Sequence, residues 1–266
     1  MKIKEFTAAD CELIPSDGFI FVSSHSGAGK SHLITYLFSM PKMRNRFGAC
    51  VVLSPTSALG DYTQFDFCDK QFHYNTQTHS IDDVLDKVFD AQQTLRDDDK
   101  EPGYVACILD DVFTSVGSGA WWKGTLHEKI CLRRHSKIFF VCISQSLTNL
   151  SPCLRAQCSW FISFVPRTIS DRRKIINWFL TKEYLNHSKK DTFKQANEIL
   201  DTVFSEPYRA LMAHCTSLST KTLDNIYYIK APEKIAPFKL QLKNISSTCN
   251  NNQQTTPSIL TEDDFY

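Results

Sequence analysis

The sequence carries almost no excess of either charge: 30 Lys and Arg stand against 29 Asp and Glu over 266 residues, a formal net charge of +1. No global field therefore draws the chain to nucleic acid or to a membrane surface, and any such attraction must be local. Long apolar runs are also missing. The longest, Ile138 to Ile143, is far shorter than the roughly 20 residues of a membrane-spanning helix. The N-terminal stretch MKIKEFTAADCELIPSDG has no apolar h-region, so neither secretion nor a membrane location is expected. Ten cysteines are present but no Cys-x-x-Cys pair. Dispersed thiols, several of them in apolar runs (Cys50, Cys107, Cys142, Cys158, Cys215), are expected to be buried and reduced. Cys153 and Cys158 with a distant His have the wrong spacing for zinc.

What is present suits one large α/β domain: 42% hydrophobic residues, 12% aromatic and an ordinary 22% charged. Short apolar runs alternate with helical patterns. Phe19–Val22, Ala49–Leu53, Tyr104–Leu109, Lys137–Ile143 and Cys158–Val165 read as strands. Between and after them, SHLITYLFSM, Ser80–Leu95, 122–134, Ile169–Leu180 and Asp191–Phe204 read as helices. Such alternation predicts a mainly parallel sheet covered on both faces, with Tyr208–His214 and Ile226–Ile229 as late strands. Ser80–Leu95 has the clearest pattern, with Ile81, Val84, Leu85, Val88, Phe89 and Leu95 on one face and Ser80 with Asp83 as an N-terminal cap. No internal repeat is visible. The expected domain spans 1–242. The polar residues 243–266, ending in ILTEDDFY, are expected to form a flexible tail, whose acidic and aromatic end is either a docking peptide or a frayed terminus.

Chemistry concentrates in Ser24-His-Ser-Gly-Ala-Gly-Lys-Ser31, between an apolar strand and an amphipathic helix. It resembles the P-loop pattern Gly-x-x-x-x-Gly-Lys-Ser/Thr, with Ser24 in place of the first glycine. Backbone N–H groups along Ser26, Gly27, Ala28, Gly29, Lys30, Ser31 and His32, with the positive end of the helix, would cradle a triphosphate. Lys30 would reach the β- and γ-phosphates, and the Ser31 hydroxyl would ligate Mg²⁺. A second motif, Tyr104-Val-Ala-Cys-Ile-Leu-Asp110-Asp111, looks like a Walker B strand: Asp110 would hold the Mg²⁺ shell and Asp111 would position or polarise the attacking water. The strand Ala49–Leu53 lies between the two motifs in sequence. After them, Lys137–Ile143 ends in Ser144-Gln145, and Gln145 suits a sensor of the γ-phosphate.

Charge is unevenly spread. Residues 81–101 hold eight acids against three bases, whereas 121–194 hold fourteen Lys and Arg against four acids. The second segment could neutralise DNA phosphates, or be an ordinary solvated face. Arg134 and Arg155, on either side of the Gln145 strand, are candidates for an arginine donated to a neighbouring subunit's site.

Together, SGAGKS, VVLSPTSALGDYTQFDF, ILDDV, and LRRHSKIFFVCISQS followed by Leu154-Arg155-Ala-Gln157-Cys158 resemble the poxvirus-like viral DNA-packaging ATPases of the FtsK–HerA superfamily. The resemblance covers Phe19 to Val165 well; Gln157 stands where the family usually has Asn. It implies a three-layer αβα P-loop NTPase fold with an extra strand between the P-loop strand and the Walker B strand. It further implies an ATP- and Mg²⁺-dependent motor, a homo-oligomeric ring of five or six subunits, that pumps double-stranded DNA into a preformed capsid. Its partners would be viral capsid or portal-vertex proteins, with no membrane. Its place would be the host-cell interior at the site of viral assembly, or the virion. A DNA helicase or replication-type ATPase would share every nucleotide motif. A small-molecule kinase, with Arg172-Arg173 as its lid, and a module that binds nucleotide without hydrolysis are less well matched.

Overall fold

The computed structural model describes residues 2–57, 64–112, 125–180, 189–217 and 222–240. Among them nine strands form one sheet. These are β1 (Lys4–Glu5), β2 (Phe19–Ser23), β3 (Phe47–Ser54), β4 (His73–Asn75), β5 (Tyr104–Asp110), β6 (Ile138–Ser144), β7 (Trp160–Ser163), β8 (Arg209–His214) and β9 (Ile226–Lys230). Their order is β1-β9-β8-β7-β2-β6-β5-β3-β4. The block from β7 through β4 is parallel, and β8 is antiparallel to both neighbours. The expected mainly parallel sheet is present, and the expected extra strand between β2 and β5 is β6, while β3 lies beyond β5. The tail at 243–266 lies outside the described residues, as does the start of the helix expected at 122–134.

The central strands are buried from end to end, which explains their uninterrupted apolar runs. The helices are α1 (Lys30–Ser39), α2 (Pro41–Arg44), α3 (Ile81–Asp97), α4 (Thr125–Leu132), α5 (Pro152–Gln157), α6 (Ile169–Ile175) and α7 (Lys189–Val203). The chain leaves β2 in one direction through α1 and returns toward it through α3, α4 and α5. Right-handed crossovers therefore put α1 on one face and the other three on the opposite face, where α3 packs on α4 and α4 on α5. Helix α1 buries Leu33, Ile34, Leu37 and Phe38. The Phe38 ring centroid lies 5.5 Å from Phe47, 5.0 Å from Phe67 and 6.2 Å from Phe139. Burial of each such ring stabilises the fold by about 2–3 kcal/mol. Met40, extended as a residue before proline is biased to be, ends α1 ahead of Pro41.

Three features depart from the sequence expectation. Ile169–Leu180 is not one α-helix: after α6 the turn widens into a π-helical stretch, Ile176–Leu180, that lays Phe179 on Phe161 at 3.8 Å. Cys215 is only half-buried, whereas Cys50, Cys107, Cys142 and Cys158 are buried as expected. Residues 231–240 form an extended strap that holds to α1, α2 and the segment before β4. Its fixed points are His32 Nε2 to Pro232 O (2.7 Å), Arg44 Nε to Lys239 O (3.2 Å), Leu240 N to Phe67 O (3.2 Å) and Phe238 stacked on Phe67 at 5.1 Å.

Among the described residues Arg133 is the largest buried charged side chain, with 0% exposure. Its Nη1 donates to Ile130 O (2.6 Å) and Gln157 Oε1 (3.1 Å), and its Nη2 to Gln157 O (3.0 Å), tying the end of α4 to the end of α5. Burial pulls its pKa below the ordinary guanidinium value, Arg134 adds to this, and Asp17 opposes it. Arg133→Ala would leave a cavity and strand those carbonyls, costing about 3 kcal/mol. Urea unfolding should show this as a lower midpoint with an unchanged slope; an unaltered midpoint would mean the tie is dispensable.

Candidate functional site

The C-terminal ends of β2, β6, β5 and β3 lie along one edge of the sheet, because the register pairs Ser23 with Ser144, Asp110 with Ile143, and Leu53 with Leu109. The candidate residues from the glycine-rich loop, from the end of β5 and from the end of β6 therefore share that edge. Ser24 N donates to Ser144 O at 3.1 Å, continuing the ladder past the end of β2. Since Ser24 is not among the positive-φ residues, no glycine is needed there. Gly27 and Gly29 do take left-handed angles, φ +76° and +92°. A Cβ on Gly27 would meet nothing within 4 Å, so the loop faces open space, with Ser26 and Gly27 exposed and Ala28 buried as its anchor.

Lys30 opens α1 and is only 7% exposed. Its Nζ donates to Ser24 O at 2.8 Å and His25 O at 3.0 Å, so the ammonium is folded over its own loop. Burial pulls its pKa below the ordinary value, and the charges of Asp111 and Asp110 oppose that shift. The first turn of α1 contains no carboxylate to satisfy its amides. A recessed cation, an open glycine turn and unblocked helix amides fit a polyphosphate. Beside them, buried Asp110 and the half-buried Ser31 at the helix start are oxygen donors of the kind Mg²⁺ takes.

Asp111 leaves β5 in the left-handed region, φ +51°, which aspartate tolerates better than most side chains. That twist lets Asp111 N donate to Ile143 O at 3.0 Å and brings its Oδ2 to Gln145 Nε2 at 2.9 Å. The carboxylate at the end of one strand is thus oriented by the amide at the end of the next. His32 is exposed on the first turn of α1 and donates to Pro232 O, so it faces the strap.

Arg134 and Arg155 are not brought to this edge. Arg134 is exposed before the start of β6, about 20 Å from the loop along that strand. Arg155 stacks on Trp178 with 4.0 Å from its guanidinium carbon to the ring centroid, and burial lowers its pKa.

No family model matches the sequence, and no curated protein does. Solved structures do match. B204, the DNA-packaging ATPase from Sulfolobus turreted icosahedral virus, is 17% identical, with 82% of this chain and 98% of B204 covered and a TM-score of 0.55. The chain shares its fold with this ATPase. The B204 genome packaging NTPase of Sulfolobus turreted icosahedral virus 2, in complex with AMPPCP, gives 16% identity, coverage of 82% and 100%, and a TM-score of 0.54. The pCW3 conjugation coupling protein TcpA, with ATPγS, gives 10% identity, coverage of 81% and 60%, and a TM-score of 0.52.

Within this fold the basic surplus at 121–194 is smaller than its sequence count. Lys129 pairs with Asp86 (2.5 Å), Lys137 with Glu101 (2.7 Å), Arg172 with Asp201 (2.6 Å) and Lys174 with Asp171 (3.4 Å). Two of these partners belong to the acidic segment 81–101, so the two charged stretches neutralise each other across α3, α4 and the start of β6. Among the described residues of the basic stretch, Arg134, Arg167, Arg173 and Lys194 remain exposed and outside any ion pair. Sequence reasoning missed the ladder contact of Ser144 and the wall that Phe164 and Pro232 build beside Gly29. These are long-range contacts with no local pattern.

Proposed function

We propose that the chain is a Mg²⁺-dependent ATP hydrolase that works as a ring of identical subunits and drives double-stranded DNA into a preformed viral capsid. The observation that carries the hydrolase reading is the convergence of Lys30, Asp110, Asp111 and Gln145 on the open glycine loop at one sheet edge. The packaging reading is supported by the fold shared with B204 over nearly all of that chain. DNA, a neighbouring subunit and capsid or portal-vertex proteins are the proposed partners, inside the host cell.

In this mechanism the loop amides and Lys30 hold the β- and γ-phosphates and neutralise charge that grows as the terminal bond breaks. Ser31 and Asp110 would hold Mg²⁺, which supplies further charge neutralisation there. Asp111 accepts a hydrogen bond from the attacking water and orients it in line, and Gln145 keeps the carboxylate aimed. Arg155, stacked on Trp178 within its own chain, remains a candidate for a neighbour's site. Arg134 serves a neighbour's site only if ring packing sets that neighbour's loop against the opposite sheet edge. Duplex contacts fall to the unpaired bases, Arg167, Arg173 and Lys194 among them. Phosphate contacts carry no base information, so binding should ignore sequence and weaken steeply with salt.

ATP turnover measured against protein concentration, with and without duplex DNA, is expected to rise cooperatively with both. Strand displacement from a triplex that leaves the duplex paired would support a packaging motor. Separation of the duplex strands would make it a helicase, and salt-insensitive or sequence-specific binding would sink the motor reading.

A further inference from the structure

The glycine loop divides its sheet edge in two. On one side stand β6 and β5 with Gln145, Asp110 and Asp111. On the other stand β7, β8 and β9, whose ends share the same edge because Ser23 pairs with Ser163, Ser163 with Leu211, and Arg209 with Lys230. On that second side, between the start of α1 and the strap, lies a cleft of about 510 Å³ lined by Gly29, His32, Phe164, Tyr208, Pro232 and Glu233, among others. Its volume falls within the range of small-molecule pockets.

We infer that this cleft receives the purine nucleoside end of the nucleotide, with Tyr208 as the stacking residue. This rests on the triphosphate reading of the loop. A triphosphate whose terminal group faces Asp111 and Gln145 must present its α-phosphate to the other side of the loop. The cleft opens there and shares Gly29 with the loop.

The walls suit a flat aromatic guest. Phe164 lies against Gly29, 4.0 Å from where a Cβ would stand, an ordinary contact distance, and the left-handed φ of +92° is what calls for glycine at this junction of loop and cleft. Tyr208 is 69% exposed and holds φ +61°, an angle that β-carbon crowding disfavours. Its neighbour Arg209 is fixed over the Tyr228 ring (4.2 Å) and paired with Glu206 (2.5 Å), which anchors the turn that presents Tyr208 at the rim. The opposite wall is set by the 2.7 Å bond from His32 to Pro232 O. Lys230, at the lip, is occupied by Glu206 at 3.2 Å. Most of the lining is carbon, so the base is held by its face more than by its edge. Purines should bind better than pyrimidines, with adenine and guanine weakly distinguished.

Calorimetric titration of the full chain with Mg²⁺ and either ATP or inorganic tripolyphosphate separates the two ends of the ligand. Tyr208→Ala is expected to weaken ATP binding about tenfold and leave tripolyphosphate binding within twofold, while Tyr208→Phe restores ATP. Lys30→Ala should weaken both ligands. On the wild-type chain GTP should bind within tenfold of ATP, and CTP more weakly than either. The inference is overturned if Tyr208→Ala leaves ATP affinity unchanged, if it weakens both ligands equally, or if CTP matches ATP. A wild-type chain that binds neither ligand would refute the loop reading itself, and the cleft assignment with it.

Discussion

Asp111→Asn is expected to leave ATP bound with nearly unchanged affinity while its hydrolysis slows by roughly 10²–10⁴-fold, the usual contribution of a positioned acid–base group. The substitution is well isolated. Asparagine keeps the shape of the side chain and retains an oxygen to accept the 2.9 Å bond from Gln145 Nε2. It tolerates the left-handed φ of +51° at this position as readily as aspartate does. What disappears is the negative charge that polarises the attacking water. Single-turnover hydrolysis and an equilibrium ATP titration on the same preparation separate chemistry from binding. Turnover equal to wild type would remove Asp111 from the mechanism. A parallel loss of ATP affinity would instead give the carboxylate a role in holding the metal or the nucleotide.

Lys30→Ala is expected to lower turnover by roughly 10²–10³-fold or more and to weaken ATP binding, because the cation recessed beneath the loop is removed. Its effect on stability should be small. Burial pulls the Lys30 pKa down, so the folded chain holds that proton less tightly than the unfolded chain. The buried charge therefore opposes folding at pH values below its folded pKa, and that opposition fades as the pH rises through it. Removing the ammonium lifts this cost and forfeits its bonds to Ser24 O and His25 O, two opposing changes that leave the unfolding free energy within about 1 kcal/mol. ATP turnover and urea unfolding of the variant should thus diverge. If the protein instead unfolds along with its loss of activity, Lys30 is a structural post. Equal phosphate release by variant and wild type would place the activity elsewhere.

Much of this site can be read in the chain because its signals are local. Phe19–Ser23, Phe47–Ser54, Tyr104–Asp110 and Ile138–Ser144 are buried strands whose two packed faces demand unbroken apolar runs. The glycines and lysine of the loop, and the polar residues that end β5 and β6, stand out against those runs. Short edge strands leave no such trace: β1 has two residues and β4 three, too few to show a period. The widened turn at Ile176–Leu180 looked like a continuation of α6, since apolar residues on one face satisfy both windings. The charge surplus at 121–194 misleads for another reason. A count along the chain does not see that Asp86 and Glu101 arrive from another segment to meet Lys129 and Lys137.

The α/β alternation, the glycine loop between strand and helix, and the three acidic or amide groups Asp110, Asp111 and Gln145 at strand ends are legible in the order of residues alone. Each follows from neighbours within a few residues, through backbone conformation and hydrophobic period. Packing across the whole sheet was needed to bring Gln145 onto Asp111 and to set the carboxylates at the end of β5 against the Lys30 charge. It also decided that Arg133 is buried, that Arg155 is held on Trp178, and that Tyr208 and Pro232 wall a cleft next to Gly29. These are matters of strand order and long-range register, settled by how buried faces pack across the whole sheet.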